Sequence, residues 1–449
     1  MKKQLALGLS LIMLVSAFAV GIVVSGGGAI ASPIDDSGTN SVNDLGINAA
    51  QGNGNGQGGG GQGQGGNGGA DGAGDGDGAG EGRGSGNGGS GGGGGGGDGG
   101  GPPDGHGPPD DHDDDDEEET VLEPGPINTT GVIEEEGTYT LTQDISGDGT
   151  LATAFEIKAS NVTLDGAGYT VMDGTGEAIH VIGTDGSLEN IVIKDLTITR
   201  WETGISAMNV KDSSFQDLTI ESNNDAGLVL QSSAGTENNE ILRVTIRDNE
   251  KGMFLRENVN DTYIFDSTFE ENHEAGLKIS GAEYTELRDS TFTGHDGEKA
   301  IHITGMSPHN TLIGNTIQDS TGGVESAIHI GGESSDNYLE DNIVKNNVEV
   351  GISLGPNNNV LKDNEIYGNG LSGVVVEGTG NEFSGNEIYE NNIGIEILGG
   401  AKVASTGDRV RSNVDWDVHS SEGATGSTFD ELALGGTVVS IGADSVDYA

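Results

Sequence analysis

Along most of the chain after residue 125, apolar residues alternate with polar ones at a spacing of two, and this alternation comes in repeats. Each repeat has a small residue, an apolar residue, any residue and a second apolar residue, and successive copies lie 21 to 27 residues apart. The small residues of the clear copies are Ala154, Ala178, Gly204, Gly227, Gly252, Gly276, Ala300, Ala327, Gly351, Gly373 and Gly394. A period of two is typical of β-strands, and a repeat of this length indicates a solenoid.

Each repeat predicts two short strands joined by turns. The first contains the apolar triplet, as in Ile301 to Ile303, and the second reads D-L-T-I or a close variant, as in Asp195 to Ile198. Such coils stack as parallel strands about 4.8 Å apart, and parallel crossovers are right-handed. We therefore predict an all-β fold, a right-handed single-stranded parallel β-helix of about 11–12 coils. A propeller is the weaker alternative because its blades need about 40 or more residues.

Asparagines form two columns, one that follows the second strand at a fixed position and an inner one that lies within it. The first column is Asn223, Asn249, Asn272, Asn347, Asn369, Asn391 and Asn413, and the second is Asn315, Asn342, Asn364 and Asn386. Asparagine tolerates left-handed turn geometry, and its amide can bond to the next coil. We expect these residues to occupy the left-handed corners and to stack.

The first 31 residues predict an export signal. Lys2 and Lys3 precede an apolar run from Leu5 to Val24, and Ala29-Ile30-Ala31 fits a cleavage site. This arrangement favours a protein that is exported to the cell surface or the medium, with no membrane segment once the signal is removed. A membrane anchor is the alternative interpretation.

Residues 32–126 predict a linker, and residues 127–449 predict the β-helix domain. The linker is rich in Gly, Asn, Gln and Asp and ends in the acidic run Asp110 to Glu119. Its composition offers too little apolar surface to offset chain entropy, so we expect a disordered, self-repelling tether.

The charge balance restricts the partners of this chain. It has 73 acidic and 19 basic residues, a formal net charge of −54, and no cysteine. A surface this acidic repels nucleic acid, and without cysteine neither disulfides nor thiolate metal sites can form. The acid excess resembles that of exported proteins from salt-loving archaea, where the Debye length of about 3 Å in molar salt screens self-repulsion.

One segment resembles a known family. The run F-E-I-K-A-S-N-V-T-L-D-G-A-G-Y-T-V-M-D-G-T-G, from Phe155 to Gly176, follows G-V-I-E-E-E-G-T-Y-T-L-T-Q-D-I, from Gly131 to Ile145. Together they resemble the opening of NosD-like proteins of the pectate-lyase superfamily. The resemblance implies the β-helix fold but no single activity, because that superfamily includes lyases, hydrolases, epimerases and adhesins.

In a β-helix, candidate sites are read down columns of stacked coils. The flanking apolar residues of each first strand point inward, so the middle residue faces outward. This outward column is Glu156, His180, Ser206, Val229, Phe254, Lys278, His302, His329, Ser353, Val375, Glu396 and His419. We expect the side chains of Lys278, His302 and His329 to lie within about 5 Å of their neighbours.

A second column is acidic. Two positions before each small residue stand Glu202, Asp225, Glu250, Glu274, Glu298, Glu325 and Glu349. We expect these carboxylates to form one wall of a shallow trough, with Lys278, His302 and His329 on the other wall about 13 Å away. The small residues would form its floor.

This ladder of carboxylates has three interpretations. Neighbours about 5 Å apart repel by about 0.8 kcal/mol in water, which a solvated wall tolerates, but by about 3 kcal/mol at an effective dielectric constant of about 20. The larger repulsion favours a bound cation such as Ca²⁺ or a raised carboxyl pKa. The predicted metal ligands are Glu274, Glu298, Glu325 and Glu349, and the predicted catalytic residues are Glu298, Glu325, His302, His329 and Lys278.

Two classes of function fit these features. The leading hypothesis is a non-catalytic surface scaffold, adhesin or carbohydrate-binding module with a polysaccharide or cell-surface glycan as partner. The alternative is a polysaccharide lyase or glycoside hydrolase that uses the trough. No arginine and only one aromatic residue, Phe254, stand in the outward column, which disfavours the enzyme. A copper-related accessory role is weaker still because copper sites favour Cys, Met and His clusters, and Met172, Met208, Met253 and Met306 are dispersed.

Overall fold

The computed structural model describes residues 120–184, 186–297, 299–321, 326–421, 423–424, 426–430, 433–434, 440–441 and 446–448. The predicted export signal, nearly all of the predicted linker, Glu298 and Glu325 lie outside the described residues. The described residues form strands, turns and bends without any helix. Across these ranges there is no helix long and apolar enough to cross a membrane.

The strands form a parallel solenoid of about 12 turns, which confirms the predicted fold class. One 14-stranded sheet, here the first sheet, runs along one side. Its strands are Gly131–Ile133, Thr153–Ile157, Glu177–Ile182, Thr203–Met208, Ala226–Gln231, Lys251–Leu255, Ala275–Ser280, Lys299–Thr304, Ser326–Ile330, Val350–Leu354, Ser372–Val376, Ile393–Ile397, Trp416–Ser420 and Ser440–Ile441. Eleven of them, from Thr153–Ile157 to Ile393–Ile397, are the predicted first strands, and the other three extend the sheet at its two ends.

A 28-stranded sheet, here the second sheet, covers the remaining sides. Its strands are Gly125–Ile127, Gly137–Leu141, Ile145–Ser146, Val162–Asp165, Thr170–Met172, Leu188–Glu189, Val192–Thr199, Val210–Lys211, Ser214–Glu221, Thr236–Leu242, Thr245–Arg247, Val259–Phe265, Thr268–Glu270, Glu286–Arg288, Thr291–Thr293, Thr311–Ile313, Thr316–Gln318, Tyr338–Glu340, Ile343–Lys345, Val360–Lys362, Glu365–Tyr367, Asn381–Ser384, Glu387–Tyr389, Val403–Thr406, Arg409–Arg411, Ser427–Asp430, Ala433–Leu434 and Val446–Tyr448. Most coils therefore have three strands, one more than the repeat predicts.

Apolar side chains from both sheets fill the interior of the solenoid. Phe269 and Phe292, from adjacent coils, stack with ring centroids 4.5 Å apart. Trp201 is fully buried, and its indole N–H donates to the carbonyl oxygen of Val171 at 3.3 Å. A Cβ on Gly174 would lie 1.8 Å from the Trp201 ring, so only glycine fits beneath it.

Stacked asparagines bond one coil to the next, as the columns predict. The backbone N–H and the side-chain amide of Asn342 both donate to Oδ1 of Asn364, at 2.9 Å and 3.0 Å. Asn364 repeats this pattern with Asn386, and its amide also donates to the carbonyl oxygen of Leu339 at 2.9 Å. Each buried amide therefore satisfies backbone groups of neighbouring coils. A third column that the sequence analysis missed contains Asn310, Asn337, Asn359 and Asn381.

The predicted geometry of the asparagines is wrong by one residue. The left-handed corner belongs to the residue before each stacked asparagine, as at Asp363 (φ 53°) before Asn364 and Glu271 (φ 50°) before Asn272. The Asp of the predicted second strand has this left-handed geometry, as at Asp195 (φ 51°) and Asp217 (φ 54°), and so occupies a corner even where the strand continues through it. Because the corner turns the chain, the next side chain points inward, where its amide can reach both adjacent coils.

A histidine replaces asparagine at one step of the first column. His295 is fully buried and accepts a hydrogen bond at Nδ1 from the backbone N–H of Asn272 at 3.3 Å. Burial lowers the pKa of His295 to about 4, despite backbone hydrogen bonds that favour the protonated ring. The ring therefore folds as neutral imidazole.

We expect Asn364→Ala to lower the free energy of unfolding by about 2–5 kcal/mol, because it leaves the N–H of Asn342 and the carbonyl of Leu339 buried without partners. The matched control is Asn224→Ala, since Asn224 is exposed and should change stability by about 0.5 kcal/mol or less. Denaturant-induced unfolding in molar salt measures both. Equal losses for the two variants would contradict a stabilising role of the column.

We expect His295→Asn to flatten the pH dependence of unfolding. The folded pKa of His295, about 4, lies below its ordinary value of 6.5, so below pH 6.5 the unfolded chain binds a proton that the folded chain does not. The contribution of neutral His295 to the free energy of unfolding is fully present above pH 6.5. It is lost as the pH falls towards 4, and the loss is at most about 3 kcal/mol. The stability difference between wild type and variant should change between pH 7.5 and pH 4.5. A constant difference would show that burial does not depress this pKa.

Candidate functional site

The first sheet brings three of the predicted site residues together. Lys278 pairs in register with His302, and His302 pairs with His329. The two imidazole rings meet edge to face with centroids 5.4 Å apart, and all three side chains are half-buried. These three members of the predicted outward column are therefore neighbours on adjacent coils, whereas four other members, Ser206, Val229, Ser353 and Val375, are buried. Glu298 and Glu325, the other two predicted catalytic residues, lie outside the described residues.

At Glu274 the acidic wall and the Lys/His wall are in contact, whereas the predicted trough keeps them apart. Oε1 of Glu274, which directly precedes the strand Ala275–Ser280, lies 2.8 Å from Nζ of Lys278 on that strand. Oε2 of Glu274 lies 3.1 Å from Nζ of Lys251 in the preceding coil, and this ammonium also lies 2.8 Å from Asp225. Long side chains therefore bridge the 13 Å that was predicted to be open.

The charge state of Glu274 follows from these contacts. Burial by itself raises its pKa, but hydrogen bonds from Lys278 and Lys251 outweigh burial, so the pKa lies below the usual value. The expectation of a raised carboxyl pKa is therefore wrong for Glu274. A carboxylate held in this way stays ionised and cannot serve as a general acid.

The predicted calcium ligands are only partly described. Both oxygens of Glu274 contact lysine ammonium groups, and Glu349 is half-buried farther along the sheet. Among the residues that the structure describes, no group of three or more His, Asp or Glu side chains could hold a metal ion. Because Glu298 and Glu325 are not described, the calcium site stays a prediction.

The small residues do not form an open floor. Gly276 is buried, and a Cβ at this position would lie 2.8 Å from the carbonyl oxygen of Ala300 and 2.7 Å from the His295 ring. Gly252 is similar, since its Cβ would lie 2.3 Å from the carbonyl oxygen of Gly276. The repeated small residue is therefore a requirement of close coil packing.

A cleft lies beside Phe254 at the C-terminal ends of the first strands. It has a volume of about 460 Å³ and is lined by Gln231, Ser232, Phe254, Arg256, Glu257 and Ser280. The guanidinium carbon of Arg256 lies 4.8 Å from the centre of the Phe254 ring, and Nζ of Lys278 lies 5.4 Å from it. Both contacts are cation–π interactions, which hold two positive charges beside one aromatic ring.

We refer to this cleft and the adjoining outward side chains as the cationic patch. It contains Lys251, Phe254, Arg256, Lys278, His302 and His329. Lys299 begins the strand that carries His302, but it is only 5% exposed. The patch is unusual because it gathers cations on a chain with a net charge of −54.

Most cations form ion pairs with nearby acids, and Lys251 and Lys278 of the patch do so with Asp225 and Glu274. Arg243 bonds to Asp217 through two nitrogens at 2.7 Å and 2.8 Å, and Lys211 bonds to Glu237 at 2.7 Å. Arg256 differs, since it is exposed and forms no ion pair with any residue in the described ranges. Its guanidinium therefore keeps its hydrogen-bond donors available for a ligand.

Sequence reasoning missed two cations of the patch, Lys251 and Arg256, and the neighbouring buried Lys299. Lys251 and Lys299 directly precede the small residues of their coils, and Arg256 stands four residues after Gly252. The sequence analysis assigned an outward side chain only to the residue between the two apolar residues of each first strand. Residues just before and after this pattern were therefore not considered as site residues. The available signal was the density of cations between residues 251 and 299 in a chain that has only 19.

The residues considered for other functions lie apart from the patch or within the core. Met253 is fully buried, and Met306 is 63% exposed. These methionines give no support for a copper site.

The comparisons with known proteins identify the family. The family model described as "Right handed beta helix region" matches residues 152–292 and 254–410, which together span more than half of the chain. The chain therefore belongs to the right-handed β-helix family. No curated protein matches the sequence significantly.

Several solved structures are similar at low identity. The periplasmic alginate epimerase AlgG is 12% identical with a TM-score of 0.43, over 71% of this chain and 79% of that chain. DFA-IIIase from Arthrobacter chlorophenolicus A6 is 10% identical with a TM-score of 0.43, over 58% and 82%. The A-module of the Azotobacter vinelandii mannuronan C-5 epimerase AlgE4 is 14% identical with a TM-score of 0.34, over 73% and 85%. Likenesses at this level support no inference about activity or substrate.

We expect Glu274→Gln to destabilise the fold by about 1 kcal/mol at neutral pH, since it leaves Lys251 and Lys278 without their shared carboxylate. The folded pKa of Glu274 lies below the ordinary 4.5, so its contribution is present above pH 4.5 and is lost as the pH falls through the folded pKa. Unfolding measured at pH 7 and pH 3 should show a larger difference from wild type at pH 7 than at pH 3. A loss that is equal at both pH values would contradict the ion pairs.

Proposed function

We propose that this protein is an exported, non-catalytic β-helix that binds an anionic polysaccharide through the cationic patch. The observation that carries the proposal is the exposed guanidinium of Arg256, which lies against Phe254 and forms no ion pair with a described residue. On an acidic protein, a local group of cations attracts the anionic groups of a ligand while the surrounding surface repels them elsewhere.

The chemistry of the patch favours binding over catalysis. Arg256 can donate paired hydrogen bonds to a carboxylate or sulfate, and Lys278 adds a second charge. Phe254 supplies an apolar surface beside them, which suits the non-polar side of a sugar ring. Glu274, which contacts both Lys251 and Lys278, is held ionised by these two lysines and so lacks the proton that a general acid needs.

The geometry also suits an extended ligand. Phe254, Lys278, His302 and His329 pair in register on four successive coils. Four parallel strands about 4.8 Å apart span about 14 Å along the axis. A chain of several charged sugar residues could therefore contact the whole column, whereas a monosaccharide would contact one or two coils.

We expect Arg256→Ala to weaken binding of dextran sulfate by about 10–100-fold, the loss expected for charge-assisted hydrogen bonds. Lys402→Ala is the matched control, because Lys402 is an exposed cation far along the chain and its loss changes the net charge equally. Unmodified dextran serves as the uncharged counterpart of the ligand. Titration calorimetry at constant ionic strength measures the affinity of each variant for dextran sulfate and for dextran. Polygalacturonate serves as a second polyanion, which carries carboxylates in place of sulfates.

Three outcomes would count against the proposal. Equal weakening by Arg256→Ala and Lys402→Ala would show that only net charge matters, and no binding of either polyanion would remove the anionic ligand. New chain ends that appear with wild type and disappear with Glu298→Gln/Glu325→Gln would establish the polysaccharide lyase or hydrolase instead.

A further inference from the structure

A second cavity lies on the second sheet, outside the cationic patch. Its volume is about 310 Å³, and it is lined by Asp212, Ser213, Ser214, Asn238, Glu240 and Tyr263. Three consecutive coils contribute to it, because Ser214 pairs in register with Glu240 and Glu240 pairs with Tyr263.

The aromatic wall of this cavity belongs to a group of exposed rings. Tyr263 is 43% exposed, and Phe265 on the same strand is 42% exposed. Tyr284, in the turn before the adjoining strand of the next coil, is 51% exposed. Apart from Tyr169, these are the exposed large aromatic side chains of the described residues. In a chain with only 4% aromatic residues, their grouping indicates an interaction surface.

The backbone conformation of Tyr284 also indicates an interaction surface around these rings. The equivalent left-handed corners of other coils carry residues that tolerate this geometry, such as Asp212 (φ 49°), Asn238 (φ 56°) and Asp261 (φ 48°). Tyr284 has φ 56°, which is uncommon for a bulky side chain, and its ring stacks on His309 with centroids 5.2 Å apart. Strained positions of this kind persist where the side chain is held in place by its surroundings, and they concentrate at binding sites.

The polar groups of the cavity define the ligand. Asp212 and Glu240 provide carboxylate acceptors, and the side-chain amide of Asn238 donates to Asp212 at 3.2 Å. No lysine or arginine is among the described residues that line the cavity, in contrast to the cleft at Arg256. Carboxylates beside an aromatic ring suit a ligand that has hydroxyl donors and an apolar ring face, and they repel an anion.

We propose that this cavity binds a neutral sugar residue, with the ring of Tyr263 against its apolar face and Asp212 and Glu240 accepting from its hydroxyl groups. The chain then has two carbohydrate sites of opposite preference, an anionic one on the first sheet and a neutral one on the second. This second site does not depend on the anionic-polysaccharide proposal, because it shares no lining residue with the cleft at Arg256.

Saturation-transfer NMR and calorimetry with cellotetraose, maltotetraose and mannotetraose test the proposal on the full chain. We expect at least one of these neutral tetrasaccharides to bind, and Tyr263→Ala to weaken that binding about tenfold or more. Tyr263→Phe should retain most of the affinity because the ring face remains, whereas Glu240→Gln should weaken binding by removing an acceptor charge. Arg256→Ala should leave it unchanged.

Tyr169→Ala is the matched control, since Tyr169 is an exposed tyrosine at 36% on an earlier coil. Thermal unfolding of each variant separates lost binding from lost folding. Absence of binding by all three tetrasaccharides overturns the proposal, as does binding that is equally weakened by Tyr263→Ala and Tyr169→Ala. Binding that requires added Ca²⁺ and survives Tyr263→Ala would assign the cavity to a cation instead.

Discussion

Hydrogen bonding between successive coils is the constraint on which the rest of this structure depends. Parallel strands fix the coil spacing, and the buried amides of residues such as Asn342 and Asn364 fix the positions of the corners between them. Since each amide bonds to both neighbouring coils, insertions are tolerated only between the stacked positions. The coils therefore vary in length while the columns stay in register.

The same register organises the charges of an acidic protein. Residues that are more than 20 positions apart in the chain become neighbours, so a cation can pair with an acid of the adjacent coil, as Arg243 does with Asp217. Such exposed pairs each contribute little to stability. Because most cations are paired in this way, a cation without a carboxylate partner stands out on the surface. Arg256 is such a cation in the described part of the chain. The charge pattern of the surface, rather than the total charge, then decides which ligands can approach.

Much of the fold and part of the candidate site could be predicted from the repeat. The pairing of His302 with His329 followed from the alignment of two small residues, Ala300 and Ala327, because parallel coils leave no choice of register. The contact of Glu274 with Lys251 could not be predicted in the same way. It depends on rotamers of long side chains that cross from one column to another, and the sequence contains no periodic signal for such contacts.

The sequence by itself determined the solenoid, its parallel coils, the inward and outward positions of the first strands and the acidic character of the surface, since these depend on periodicity and composition. The tertiary structure decided which residue of each corner is left-handed, that the small residues are buried between coils, and that Arg256 lies over Phe254 beside a cleft. These features depend on distances between coils and on side-chain conformations, which arise only when the coils pack. A linear pattern specifies which residues are neighbours, but packing sets how their side chains meet.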